Sequence, residues 1–305
     1  AQIWILFPIP NIFPMREKRW FLQKIICLFP AARAQTPPLP SSVWVAIASS
    51  VANLENYVNN ATRDINVYIT KNLTSKDATL KQNENVNVYI TSYSDKKYFS
   101  GATLYIHGGS RNDGAETMTF ENIHFSSFAT RDLISSNSTA SAERYAHNLT
   151  FKNCFFEGDN GIDVVGLRLR QTYNITIENC ETRNLHSLGQ LTSTYGLTIK
   201  NTTVNAFRGF NLLTTAVNTV FDGVTINATK EDGYGIRVDA AAGGDVTIKN
   251  STITAYEPLV LRNAQAGFVL NMEGNNTITA NGEYQLVING ETPTLNGADD
   301  LTKNI

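Results

Sequence analysis

The amino-acid sequence predicts an all-β fold: a single-stranded, right-handed parallel β-helix, or solenoid, with a short N-terminal capping helix. Three observations predict it. A six-residue pattern recurs seven times, apolar and polar residues alternate within each copy, and the last position of each copy is Asn or Gly. Recurrence of this kind is typical of solenoids, in which every coil covers its neighbour.

Each copy of the pattern is predicted to be one strand followed by a corner. Positions two and four are mostly apolar and positions three and five mostly polar, which is the period of a strand with one buried face. Asn and Gly adopt a positive φ most readily, so position six is predicted to be a left-handed corner. The stacked Asn side chains could also hydrogen-bond amide to amide along the axis. The copies are 117–122, 148–153, 174–179, 196–201, 218–223, 245–250 and 269–274.

Two further strands complete each predicted coil. After the corner, alternate residues are expected to face the interior, and another apolar strand follows. Equivalent strands should then pair in parallel from coil to coil. The predicted inward residues after the corner are Cys154, Phe156, Thr202, Val204, Val224, Ile226, Ser251 and Ile253, and the further apolar strands are 167–169, 210–212, 236–238, 259–261 and 286–288.

The solenoid domain is predicted to span residues 43–305 and to begin with a cap. Val51, Leu54 and Val58 follow one another at helical spacing. A helix here would cover the first coil, whose strand edges would otherwise be free to pair with other chains. A partner-binding helix is the alternative interpretation of this segment.

Residues 1–42 form a leader or linker whose status the sequence leaves open. A basic start, an apolar stretch over 25–30 and small residues at Ala32 and Ala34 resemble a secretory signal, although Lys24 interrupts it. A tail that packs on the solenoid, or an artefact, is the alternative. Prolines between residues 37 and 40 predict a short, stiff linker after it.

The composition argues against several classes of protein. The formal net charge is −2 and no basic stripe indicates nucleic-acid binding. There is no apolar run of about 18 residues or more, so no membrane span is predicted. Of the three cysteines, Cys154 and Cys180 share a position in successive copies. They should stack in the core, either as free thiols or, in an oxidising compartment, as a disulfide.

The repeated strand with its Asn corner resembles that of bacterial pectate-lyase-like β-helix proteins, in particular secreted surface proteins. The resemblance covers roughly residues 64–290. It implies the architecture more than the chemistry, because this scaffold carries lyases, hydrolases, adhesins and phage spikes alike.

The best candidate binding surface is a column of outward side chains on the third strand of each coil. Arg168, Asn211 and Arg237 each lie between two apolar residues, and Gln190 falls near the coil between them. Arginines on one face could pair bidentately with the uronate or sulfate groups of an acidic glycan. The alternative is a solvated face on which the arginines pair with Asp163 and Asp239.

Tyrosines and a possible catalytic role complete the set of candidates. Tyr173 and Tyr195 share a position in successive coils and could stack against sugar rings or against each other. The resemblance to pectate lyases implies that an arginine could act as the base in β-elimination, which makes Arg168, Arg237 and the neighbouring Asp163 the catalytic candidates.

No cofactor and no metal site is predicted with any strength. Asp159 and Asp163 could hold Ca²⁺ together with backbone oxygens, but two carboxylates are few for a tight site. The segment 158–160 is similar to the paired acids of polygalacturonases, yet its last residue is Asn160, so one of the two carboxylates that hydrolysis needs is missing.

The sequence therefore favours a secreted or cell-surface, non-enzymatic module that binds polysaccharide, a surface glycan or a host surface, as an adhesin does. The alternative is a polysaccharide lyase or glycoside hydrolase acting on an acidic glycan. A phage spike or filament protein, which would form a trimer, is a further alternative.

Overall fold

The computed structural model of the protein describes residues 43–74, 77–93, 95–101, 103–108, 114–127, 132–136, 145–159 and 163–304. The leader 1–42, with its signal-like pattern, lies outside the described residues. The described chain is a parallel β-solenoid of about nine turns with one short helix. The predicted all-β parallel β-helix is therefore confirmed. No helix in these ranges has the length and apolarity to cross a membrane.

Three faces make up each coil, and equivalent strands pair in parallel. The motif face precedes the Asn or Gly corner and contains β1 Trp44–Ala48, β2 Ile65–Ile69, β5 Val88–Ser92, β8 Met118–Glu121, β11 Leu149–Lys152, β22 Phe268–Glu273 and β25 Thr294–Asn296. The post-corner face contains β3 Leu73–Thr74, β6 Lys97–Ser100, β9 Ile123–Ser126, β12 Phe155–Glu157, β14 Glu181–Leu185, β16 Thr203–Ala206, β18 Thr225–Ala228, β20 Thr252–Ala255 and β23 Thr277–Ala280.

The third face, called the arginine face here, carries the last strand of each coil. Its separate strands are β4 Ala78–Lys81, β7 Leu104–His107, β10 Ile134–Ser136, β21 Glu257–Ala264, β24 Leu286–Gly290 and β26 Lys303–Asn304. Four long strands begin on the arginine face and end on the motif face: β13 Val165–Glu178, β15 Ser187–Lys200, β17 Phe210–Asp222 and β19 Tyr234–Lys249.

The predicted corners are left-handed in every copy of the pattern. The seven residues at position six have φ values from 45° to 65°. The expected amide-to-amide bonding is not found at these corners among the described residues; the amides of Asn153 and Asn250 donate instead to Glu121 and Asp222, at 3.3 Å and 3.5 Å. In four of the seven copies, position one is a second left-handed corner that the pattern did not reveal, and there the amide of Asn174 does donate to that of Asn148, at 3.1 Å.

Side chains from all three faces fill one shared interior. Both sets of residues predicted to face inward are buried. Phenylalanines stack along the axis, with ring centroids 5.2 Å apart for Phe120 and Phe151 and 5.3 Å apart for Phe125 and Phe156. Cys154 and Cys180 are buried, free thiols. Burial raises the pKa of the Cys154 thiol.

The N-terminal cap is confirmed as helix α1, Val51–Asn59. Ser50 caps its first turn by accepting a hydrogen bond from the Asn53 amide at 3.2 Å. All three predicted apolar residues are buried. The polar face of α1 also bonds to backbone groups on the free edge of β4. The backbone amide of Thr79 donates to Glu55 at 2.7 Å, and the side-chain amide of Asn59 donates to the Thr79 carbonyl at 2.8 Å. The helix thus closes an edge that could otherwise pair with another chain.

Candidate functional site

The four side chains of the predicted column lie on four consecutive coils in one register. Arg168 of β13 pairs with Gln190 of β15, Gln190 with Asn211 of β17, and Asn211 with Arg237 of β19. The residues on either side of each are buried apolar or glycine residues, so the period of the strand turns these four outward. Neighbouring strands are about 4.8 Å apart, which makes the column a straight line of polar groups.

Arg168 is held by two neighbours at one end of this column. Its Nε donates to Asp132 at 2.7 Å, and a terminal nitrogen donates to the side-chain oxygen of Gln190. The expected pairing of an arginine with Asp163 is wrong. Asp163 lies at the corner before β13, where its carboxylate contacts His186 Nδ1 of the next coil at 3.0 Å.

Arg237, at the other end, is only partly engaged. One terminal nitrogen lies 3.4 Å from Asp239, which confirms that predicted pair, and Asn263 donates to the same carboxylate at 2.7 Å. The Nε of Arg237 is buried and has no hydrogen-bond partner, and the same is true of Oδ1 of Asn211 beside it. The two ends of the column therefore differ in how far their polar groups are satisfied.

Two residues that the sequence did not single out, Arg208 and Tyr234, adjoin the Arg237 end. The guanidinium carbons of Arg208 and Arg237 lie 5.4 Å and 5.6 Å from the centroid of the Tyr234 ring. Arg208 also contacts Asp232 at 3.3 Å. Burial raises the pKa of Tyr234, although the two positive charges act in the opposite direction. The phenol is therefore protonated and neutral at physiological pH.

Tyr173 and Tyr195 stack on each other, as the sequence suggested they could. Their ring centroids are 4.9 Å apart and the planes differ by 7°, and Tyr145 extends the stack at 5.8 Å. They lie around the corner between the arginine and motif faces. In the part of the chain that the structure describes, no hydrogen bond or ring contact joins them to Arg168 or Gln190, so the two groups of predicted binding residues are adjacent but separate.

A second polar cluster lies on the post-corner face. His124 stacks against Tyr98 with ring centroids 4.1 Å apart and contacts Glu157 at 2.9 Å, and Arg183 binds the same carboxylate. Burial lowers the pKa of His124, and the Glu157 charge opposes that shift. Because the imidazole and the guanidinium both bond to the Glu157 carboxylate, the cluster fits a structural role.

The catalytic candidates are all engaged with neighbours. Arg168 and Arg237 contact carboxylates and Asp163 contacts a histidine. A carboxylate beside a guanidinium stabilises the charged form, whereas a base must first lose its proton. Among the described residues, no three His, Cys, Asp or Glu side chains come close enough together to hold a metal ion.

Comparison with known proteins leaves the family of this chain open. No protein-family model, no curated protein and no solved structure matches it. The likeness to pectate-lyase-like proteins therefore rests on the corner motif, and the coarser part of that likeness, the parallel β-helix, is what the structure bears out.

Proposed function

We propose that this protein is a non-enzymatic, secreted or cell-surface β-helix module that binds an acidic polysaccharide or surface glycan through the column Arg168, Gln190, Asn211 and Arg237. The observation that supports the proposal is the unbroken register of these four side chains on consecutive coils. Guanidinium groups recognise carboxylate and sulfate oxygens through paired N–H donors. A rigid sheet holds such donors at fixed spacing, which suits a polymer with regularly placed charges.

Binding without catalysis fits the state of the ionisable groups. Asp132 and Asp239, the described carboxylates that contact the column, are engaged with its two arginines. Tyr234 is a protonated phenol at neutral pH because its pKa is raised by burial. A general base needs a pKa close to the working pH. Secretion or surface display rests on the signal-like leader and on the resemblance of the repeat to that of secreted surface proteins.

Calorimetric titration with acidic and neutral polymers tests the proposal. Polygalacturonate, alginate and chondroitin sulfate are compared with neutral dextran, and Arg168→Gln and Arg237→Gln with the parent chain. Loss of one charged hydrogen-bond donor should weaken binding about tenfold or more. The matched control is Arg170→Gln, which changes an exposed arginine two residues further along β13 on the same face.

Three results would defeat the proposal. Equal affinity for dextran and for the acidic polymers would remove the role of charge. Growth of ultraviolet absorbance from an unsaturated product during incubation, abolished by Arg237→Gln, would identify a lyase instead. Preserved binding in both column variants would show that another surface is used.

A further inference from the structure

At the Arg237 end of the column, three buried polar atoms have no hydrogen-bond partner among the described residues. They are Nε of Arg208, Nε of Arg237 and Oδ1 of Asn211. Buried polar atoms nearly always form hydrogen bonds, and leaving one unbonded costs free energy. The two unbonded donors and the one unbonded acceptor show that the hydrogen bonds of these three side chains are not completed within the fold.

The topology brings these atoms together on two adjacent coils. Arg208 and Asn211 belong to one coil, and Tyr234 and Arg237 to the next. Asn211 pairs with Arg237 in the sheet, and the amide that follows Arg208 donates to the Tyr234 carbonyl at 2.9 Å. The four residues form a two-by-two arrangement in which the ring of Tyr234 contacts both guanidinium groups.

The charges of this arrangement leave room for an anion. Arg208 and Arg237 each contact one carboxylate, at 3.3 Å and 3.4 Å, through a single terminal nitrogen. A guanidinium carries several N–H donors, so one such contact does not exhaust it. Tyr234 is neutral and does not repel an anion. Asn211, in contrast, offers an acceptor, which an anion cannot satisfy but a hydroxyl group can.

We infer that Arg208, Asn211 and Arg237 form a subsite for one sugar unit that carries both a carboxylate or sulfate and a neighbouring free hydroxyl. The acidic group accepts from the N–H groups of the two guanidiniums that their single carboxylate contacts leave free, and the hydroxyl bonds to the side-chain amide of Asn211. This inference rests on the proposed function. It adds Arg208, which lies outside the column, and it adds the requirement for a hydroxyl beside the charge.

Calorimetric titration of the full chain with oligogalacturonate tests the role of Arg208. We expect Arg208→Gln to weaken binding about tenfold or more, while Arg170→Gln binds as the parent chain does. If the parent chain binds and Arg208→Gln binds equally well, this inference fails and the proposed function stands. If the parent chain does not bind acidic oligomers at all, both fail.

Modified ligands test the hydroxyl requirement without any change to the protein. Methyl-esterified oligogalacturonate lacks the charge, and O-acetylated oligogalacturonate keeps the charge but lacks the free hydroxyls. We expect both to bind the parent chain more weakly than the unmodified oligomer. Asn211→Ala should weaken binding of the unmodified oligomer and leave that of the acetylated oligomer unchanged. Equal affinity of the parent chain for the acetylated and unmodified oligomers would overturn the assignment of Asn211.

Discussion

The motif face and the arginine face are built on the same coils, yet their charged side chains are arranged differently. On the motif face, acids and lysines alternate from coil to coil in one register. The salt-bridge distances include 3.8 Å for Lys152 with Glu121 and 3.5 Å for Lys249 with Asp222. The members of this charge ladder are Glu121, Lys152, Glu178, Lys200, Asp222, Lys249 and Glu273.

Charged side chains of both faces contact opposite charges, so the two faces differ in the buried hydrogen-bonding atoms that stay without a partner. Opposite charges directly across a sheet stabilise one register and disfavour a shifted one. Two pairs of the ladder, Lys152 with Glu121 and Lys249 with Asp222, form salt bridges within the fold. On the arginine face, Arg237 and Asn211 keep buried atoms without partners. We therefore expect changes on the motif face to act on stability and changes on the arginine face to act on binding.

The largest expected effect comes from the interior that both faces share. Phe151→Ala should lower the free energy of unfolding by about 3–5 kcal/mol, because it leaves a cavity in the phenylalanine stack. Denaturant unfolding measures this. The affinity of the molecules that remain folded should not change. A loss below about 1 kcal/mol would contradict a continuous core beneath the faces.

The left-handed corner next to the ladder gives the second effect. Asn179 has φ of 52°, a conformation that costs a residue with a Cβ atom and no local hydrogen-bonding group about 1–2 kcal/mol. We expect Asn179→Ala to destabilise the fold by that amount and Asn179→Gly to be far milder, since glycine accepts positive φ. Thermal unfolding compares the two. Equal losses for both variants would mean that the Asn side chain, and not the backbone, matters here.

These corners show what the sequence could predict and what it could not. The Asn or Gly at position six, the alternation and the cap follow from local rules, and all three are confirmed. Arg208 was not predicted as a site residue because it lies at a corner between two faces, where the alternation of a strand does not apply. Asp132 was not predicted as the partner of Arg168 because 36 residues separate the two in the sequence. Loop lengths differ from coil to coil, so the repeat does not predict which corner residues contact each other.

The charge ladder itself gives the third effect. Lys152→Glu would place three acids in register, with Glu121 on one side and Glu178 on the other. We expect a loss of about 1 kcal/mol at low ionic strength, reduced by salt, because these charges are partly exposed. Arg168→Gln should change stability by less than about 0.5 kcal/mol. If Arg168→Gln were the more destabilising of the two, the proposed division between the faces would be wrong.

The smallest effect concerns pH and His124 on the post-corner face. Its folded pKa is lowered from 6.5 by burial, so the unfolded chain binds the proton more readily than the folded one. The stability that neutral His124 contributes is therefore present above pH 6.5 and declines as the pH falls below it. Urea unfolding at a series of pH values should show that the free energy of unfolding of His124→Gln falls less steeply with decreasing pH than that of the parent chain. A steeper fall in the variant would contradict the lowered pKa of His124 in the folded chain.

Nuclear magnetic resonance of the arginine Nε–Hε groups tests the central claim most directly, since it observes the unpartnered atoms themselves. Addition of oligogalacturonate should shift the Nε–Hε signals of Arg208 and Arg237. The signal of Arg183, whose Nε already donates to Glu157 at 2.9 Å on the post-corner face, should stay in place. A shift at Arg183, with none at Arg208 or Arg237, would contradict the account.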